Sequence, residues 1–417
     1  MADCDPAPAS KTIDLIYFNA GGGHRAAAMA LETVMREQGR PWRVRCVNLF
    51  EMLDPTDRFR RITGVAPEDL YNLRLATGWT VGLAQELKLL HGLIRIGHGA
   101  IVRRLSRHWL RTKPDMVVSL VPNFNRAVFD GITNARLGVP CVTVLTDMAD
   151  NPPNFWIERD QTHHVVCGSD KAVAQARAMG CAEAVIHRTS GMIIRPDFYR
   201  SLPMDRDVER SRLGLDAGRP TGVVMFGGQG SMAMLHIAKE LDDTQLILLC
   251  GHHQSLAVRL RALKSSAARA VIGFTPDVQR YLRLGDFFIG KPGPGCLSEA
   301  VQQGLPVITS RNAWTLPQER DNTDWIRQNG LGVVSRSIRK VRPAVDELLV
   351  RLDEVVANVR SINNLAVFEV PDILAAILET GAPRIGQDVC RPCSTPVTVT
   401  RDSRVDAIGA LRTEALP

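Results

Sequence analysis

Three glycine-rich turns carry the clearest chemical signal in this chain. They are Gly21-Gly22-Gly23-His24-Arg25, Gly227-Gly228-Gln229-Gly230-Ser231 and Lys291-Pro292-Gly293-Pro294-Gly295. Each stands between a short apolar run and an amphipathic stretch, so each reads as a strand–turn–helix junction. Such a turn presents backbone N–H groups at a helix N-terminus, where the helix dipole also favours an anion. Glycine permits the tight bend and lets a phosphate approach the backbone. None matches G-x-x-x-x-G-K-[ST], and none is a G-x-G-x-x-G dinucleotide fingerprint. A plain α/β turn is the alternative for Gly21–Gly23. His24 argues for chemistry there, because a histidine at the carboxyl end of a strand sits where open α/β sheets bind ligands. Its ordinary pKa of about 6.5 suits proton transfer at neutral pH. The competing reading is a capping or core histidine.

The elements that must position these turns alternate in a βα rhythm. Strands are expected at residues 13–19, 44–49, 116–120, 142–146 and 164–168, with helices at 26–38 and 125–136. A polar stretch at 200–220 reads as a linker, and Asp205-Arg206-Asp207 within it reads as solvated. The rhythm restarts with strands at 221–226, 245–250, 270–272, 287–289 and 307–309 and helices at 231–241 and 297–303. Residues 358–379 read as helix with a kink at Pro371, closing the second domain. This predicts an α/β protein with domains at 1–200 and 201–380 and a poorly ordered tail at 381–417.

The chain has 417 residues, 45% apolar and 23% charged, ordinary for a globular protein and too apolar for a disordered one. No run approaches the roughly 20 apolar residues of a spanning helix. The polar residues 1–12 lack the basic-then-apolar order of a secretory signal. Of nine cysteines only Cys390 and Cys393 form a C-x-x-C pair, with no second pair for a zinc site; a reducing compartment is expected. The formal charge is +7, and residues 88–113 hold seven basic residues and no acidic one. The charge is therefore local.

The motifs together resemble the diacylglycerol glycosyltransferases, the family of monogalactosyldiacylglycerol synthases and bacterial processive glucosyltransferases. That family is related to the N-acetylglucosaminyltransferase of the peptidoglycan lipid precursor. Gly21-Gly22-Gly23-His24-Arg25-Ala26 resembles the family's first glycine loop. Gly290-Lys291-Pro292-Gly293-Pro294-Gly295-Cys296-Leu297-Ser298-Glu299-Ala300 and Gly304-Leu305-Pro306-Val307-Ile308 resemble its donor-site motif. Gln318-Glu319-Arg320-Asp321-Asn322 resembles its Gln-Glu-x-x-Asn element, and Asn329-Gly330-Leu331-Gly332 closes the stretch. The similarity spans roughly residues 12–335. It implies the GT-B fold, two Rossmann-like domains facing a central cleft, and inverting transfer of a hexose (galactose or glucose) from a UDP-sugar to diacylglycerol. No cofactor and no metal are expected.

The resemblance also assigns roles. Backbone N–H groups at Gly228, Gln229 and Gly230, and at Gly293, Gly295 and Leu297, would hold the leaving diphosphate. Glu299 would accept ribose hydroxyls, with a dipole-favoured helix-start acid as the alternative. Gln318, Glu319 and Asn322 belong to the sugar element. Phe274 would lie near the base, with a core aromatic as the alternative. Gly21, Gly22 and Gly23 form the acceptor-side loop. His24 is the first choice for the base that removes the acceptor proton. Asp147 is its rival, with a cap or turn residue as the alternative. Two departures concern the acceptor side. Many members carry Asp where this chain has Asn19. Many carry His-Pro after the strand that precedes Asp147, where this chain has Asn151-Pro152-Pro153-Asn154-Phe155-Trp156.

On a helical wheel, Ile101, Val102, Leu105 and Trp109 fall on one side and Arg103, Arg104, Arg107 and Arg111 on the other. Trp79 precedes them. With a lipid acceptor implied, this reads as an interfacial helix on an anionic membrane, with Trp109 inserted and the protein peripheral on the cytoplasmic face of the cell membrane. The alternative is an ordinary domain helix. No groove-reading motif points to nucleic acid. Other readings are a different lipid-linked or soluble acceptor, a nucleotide-sugar epimerase on the same fold, and a binding module without catalysis.

Overall fold

The computed structural model describes residues 10–19, 22–54, 61 and 83–381. Gly21, Trp79, Cys390, Cys393 and the expected tail lie outside the described residues. The first lobe contains β1 (Lys11–Tyr17), α1 (Gly23–Glu37), β2 (Trp42–Asn48), α2 (Leu49–Leu53), α3 (Leu83–Thr112), β3 (Met116–Ser119), α4 (Asn125–Asn134), β4 (Cys141–Val144), β5 (His164–Cys167), α5 (Asp170–Ala178) and β6 (Ile186–Arg188). The second contains α6 (Arg206–Arg212), β7 (Thr221–Met225), α7 (Ala233–Glu240), β8 (Gln245–Leu249), α8 (Gln254–Arg261), β9 (Arg269–Ile272), α9 (Val278–Arg283), β10 (Phe287–Gly290), α10 (Pro294–Gln302), β11 (Val307–Ser310), α11 (Pro317–Gln328), β12 (Gly332–Ser335), α12 (Arg342–Val350) and α13 (Leu352–Ser361). Helix α14 (Ala366–Thr380) ends the described chain.

Among the described residues the strands form two six-stranded sheets, ordered β2-β1-β3-β4-β5-β6 and β12-β11-β10-β7-β8-β9. Every pairing is parallel. Central strands are buried on both faces, so they read as continuous apolar runs, as in Val223–Val224 and Leu246–Leu249. Strand order reverses between β1 and β3 and between β7 and β10. At such switch points the flanking helices lie on opposite faces and leave a crevice at the strands' carboxyl ends. The three glycine turns follow β1, β7 and β10. The topology therefore puts all three at the two crevices.

Three sequence expectations change. The stretch 200–220 is not a linker, although Asp205 and Asp207 are exposed as expected. Asp205 caps α6 through the backbone N–H groups of Asp207 and Val208 at 3.0 and 3.1 Å. Arg210, only 3% exposed, donates to Asp286 Oδ2 at 2.6 Å and to Leu284 O at 2.8 Å. Arg206 reaches the same carboxylate at 2.7 Å. Removing one partner of such a buried pair costs about 3–5 kcal/mol. The stretch is thus an integral edge of the second lobe.

The final helix does not close the second lobe. It starts at Ala366 after a break at 362–365, and Val367, Val370, Leu374 and Ile377 join the first-lobe core with Ala27, Leu31 and Val34 of α1. The boundary expected at 380 therefore moves, since 366–380 belongs to the first lobe. The richest apolar window of 352–380 reaches a mean hydropathy of 1.4, but the break and this burial make it a core element.

The apolar face of α3 does not face a bilayer. Val102, Leu105 and Trp109 are buried in a cluster with Phe124, Val128 and Ile132. The packing is tight enough that a Cβ at Gly131 would stand 2.7 Å from the Trp109 ring. The domain-helix alternative is the one realised, and Trp109 is not a membrane anchor. Arg103, Arg104, Arg107 and Arg111 are exposed, beside Leu110 and the 85%-exposed Ile96. Arg104 also donates to Leu53 O at 2.7 Å.

Candidate active site

A cavity of about 540 Å³ opens between the two switch points. Gly22, Gly23 and Thr146 line it from the first lobe. Gly228, Phe274, Lys291, Gly293, Gly295, Glu299 and Glu319 line it from the second, and Arg195 lines it from the crossing segment. Eight residues singled out in the sequence thus share one cavity, drawn from both lobes.

The turn after β7 is built by close backbone approach. Gly251 has φ +57°, and a Cβ there would stand 2.1 Å from Gly228 O; that carbonyl instead accepts the His252 N–H at 2.9 Å. The His252 ring stacks on Phe274 at 4.0 Å, which holds this 62%-exposed aromatic at the cavity wall. The core-aromatic alternative for Phe274 is therefore excluded. Gly230 is buried, and its N–H closes the turn on Gly227 O at 3.1 Å, so it shapes the loop. Gln229 is exposed and lies outside the cavity wall.

Helix α10 begins at Pro294, three residues before the expected start. Glu299 therefore sits in its second turn, and the helix-start alternative falls away. Leu297 is fully buried, and its N–H is committed to Gly293 O at 3.1 Å, so it supports the helix rather than a phosphate. Asn322 is also fully buried and donates to Pro292 O at 2.7 Å. It holds the third glycine turn in place from α11. Gln318 is half-buried and outside the wall, whereas its neighbour Glu319 reaches in. Burial pushes the Glu299 carboxyl up to about 7, against the pull of Arg195. Among the described residues no group of three or more His, Cys, Asp or Glu side chains is placed to hold a metal ion.

The two base candidates part company. His24 is the second residue of α1; the Thr146 hydroxyl contacts its Nδ1 at 2.9 Å, and the Leu120 backbone also bonds to the ring. Burial drives its pKa down to about 4, only partly countered by the Leu120 bond. The imidazole is therefore neutral at pH 7. Asp147 is 8% exposed, and burial pushes its carboxyl up to about 7. The Trp156 indole donates to its Oδ2 at 2.9 Å and favours the anion. Glu319 and Asp150 raise the value, and Lys291 lowers it. Groups from both lobes therefore act on this carboxyl. His24 and Asp147 both stay candidates for the base; Asp147 lies in the bend after β4, as the turn alternative has it, and caps no helix.

The loop that departs from the family pattern builds this tuning. The Asp150 carboxylate accepts from the backbone of Trp156 at 2.6 Å and of Asn154 at 3.1 Å. Gln175 of α5 clamps both backbone groups of Asp150 at 2.9 Å. The folded loop carries Trp156 under Asp147, and Asn151 donates across to Asp321 of α11 at 3.0 Å. Sequence reasoning gave no role to Lys291 and Arg195, which line the cavity, or to Trp156, which bonds to Asp147. Lys291 was detectable as the cation inside a glycine turn; the other two carry no local signal.

No protein-family model matches the chain. It is 27% identical over 361 residues to a probable monogalactosyldiacylglycerol synthase 2, chloroplastic, of Oryza sativa subsp. japonica, covering 80% of this chain and 72% of that protein. It is 25% identical over 355 residues to the monogalactosyldiacylglycerol synthase of Spinacia oleracea, covering 81% and 66%. Among solved structures it superposes on Acinetobacter baumannii MurG with TM-score 0.52 and 14% identity, covering 88% of this chain and 99% of that one. It superposes on CalG4, the calicheamicin glycosyltransferase, with TM-score 0.55 and 14% identity, covering 90% and 100%. The fold is GT-B, as the sequence motifs implied, and the chain is similar to the monogalactosyldiacylglycerol synthases.

Proposed function

We propose that this protein is a hexosyltransferase that moves a galactose or glucose from a UDP-sugar to the free hydroxyl of diacylglycerol, with inversion and without a metal. One observation carries the reading: Asp147, held near neutrality on the first lobe, is electrostatically coupled to Glu319 and Lys291 of the second. A base next to Thr146 of the cavity wall and a donor-side carboxylate, Glu319, in that wall suit attack by a hydroxyl from one lobe on a sugar held by the other. The relatives' names supply the galactolipid chemistry. The UDP moiety would lie on the second lobe, with the base near Phe274, the ribose hydroxyls on Glu299 and the diphosphate over the turns at Gly228 and Gly293–Gly295. Glu319 would accept sugar hydroxyls. Asp147 takes the acceptor proton as that oxygen bonds to the anomeric carbon. The bond from that carbon to the diphosphate breaks, and its electron pair leaves with UDP. The arginine face of α3, with Ile96 and Leu110, would meet anionic headgroups at the membrane surface, each basic residue contributing about 1 kcal/mol.

The test is purified protein with UDP-galactose or UDP-glucose and diacylglycerol in anionic vesicles, with and without a chelator. Glycolipid of inverted anomeric configuration, formed equally with chelator, is expected. Failure to form glycolipid from either donor refutes the proposal, and interconversion of the two donors without acceptor would point to an epimerase instead.

A further inference from the structure

We infer that Lys291 is a catalytic cation for the leaving diphosphate, bridging the two glycine turns of the second lobe; this rests on the UDP-sugar reading above. Strands β7 and β10 are adjacent, so the turns after them lie side by side. Lys291 is the first residue past β10. Its Cε lies 3.9 Å from where a Cβ would stand on Gly227 and 3.2 Å from where one would stand on Gly293. Its stem therefore lies along both turns, and the lack of side chains there is what gives it room. The ammonium is 3.8 Å from Glu319 Oε1, and the side chain is 36% exposed, so it faces the cavity and is open to an incoming anion.

The charge around it makes a cation necessary. Glu299 and Glu319 line the cavity, so an arriving diphosphate meets two carboxyl groups. Burial disfavours the charge on Glu299. Arg195 and Lys291 are the cations among the described wall residues. Arg195 is committed elsewhere, donating to Pro276 O at 3.1 Å, lying over the Phe198 ring at 5.1 Å and acting on Glu299. Of the two, only Lys291 lies along both turns. A cation aimed at charge that develops on the leaving oxygen stabilises the transition state more than the ground state. Its engagement by the diphosphate would also loosen its hold on Glu319, freeing that carboxylate for the sugar.

Calorimetry of the full-length protein with uridine, UDP and UDP-galactose, on wild type, Lys291→Met and Lys291→Arg, separates the possibilities. The expected result for Lys291→Met is UDP binding weakened about tenfold or more with uridine binding unchanged, and kcat lowered about a hundredfold. Lys291→Arg should restore most of the UDP affinity. UDP affinity within twofold of wild type overturns the inference. So does an equal fall for uridine and UDP, which marks structural damage. So does a fall for UDP-galactose alone, which would mean that Lys291 acts only through Glu319. Wild type that binds UDP but makes no glycolipid refutes the transfer reading and leaves the Lys291 result readable. Wild type that binds neither UDP nor UDP-galactose refutes both.

Discussion

Replacing Trp156 with Phe removes the indole N–H from Asp147 and leaves the backbone bond of residue 156 to Asp150 in place. The sign follows from what the bond stabilises. The indole donates to the carboxylate, so it favours the anion and holds the pKa below what burial alone would impose. Without it the pKa rises. A hydrogen bond to a charged group is worth about 1.5–3 kcal/mol, and one pKa unit is about 1.4 kcal/mol. The acid limb of the rate profile, centred near 7 in the wild type, should move up by about one to two units. At pH 7 about half of Asp147 is ionised in the wild type and a tenth to a hundredth in the variant, a five- to fiftyfold fall in rate. The assay is the initial rate of sugar transfer to diacylglycerol between pH 5 and 9.5, with a melting curve at each pH because Trp156 is fully buried. The lost rate should return at high pH. An inflection that stays at 7 or moves down, or a deficit that persists at pH 9.5 in folded protein, would refute Asp147 as the titrating base.

His24→Gln should keep the inflection near 7, because His24 with its pKa near 4 is neutral across the profile; loss of the acid limb in that variant would restore His24 as the base. Asp147→Asn should abolish transfer and yet stabilise the fold. The native pKa of Asp147 is raised above its unfolded value, so its favourable contribution is complete only below about pH 4 and is lost as pH rises to 7. The melting advantage of the variant should grow over that window to at most about 4 kcal/mol and stay flat above it, and a constant advantage would contradict the burial argument. Trp109→Ala should cost about 3–5 kcal/mol in denaturant unfolding with vesicle flotation unchanged. Replacing Arg103, Arg107 and Arg111 with Glu should instead lower binding to anionic vesicles at least about tenfold; the reverse pattern would reinstate Trp109 as an anchor.

Much of the second lobe was legible because its signals are local. A glycine turn between an apolar run and a helix former shows in a few residues what the backbone must do. Thus 290–304 gave the strand, turn and helix around Lys291 and Glu299, and three turns in this setting pointed to an anion. Their gathering at one cavity follows from the sheet order, which places β1 beside β3 and β7 beside β10. What sequence could not settle depends on residues far apart in the chain. The basicity of Asp147 comes from burial, from an indole nine residues on, and from Glu319 and Lys291 on another lobe, so no window around Thr146-Asp147 contains it. The amphipathic pattern of 101–111 is the same for a helix on a bilayer as for one on a core; only the packing of Trp109 against Gly131 decides between them. Helix α14 likewise shows its apolar face in sequence, but not that the face belongs to α1, more than three hundred residues earlier. The sequence by itself determined the backbone conformations and the class of chemistry, because both are written in short-range steric and hydrogen-bonding preferences. The tertiary structure decided how far His24 and Asp147 are desolvated and which faces are free, because desolvation and charge are set by what the fold brings near.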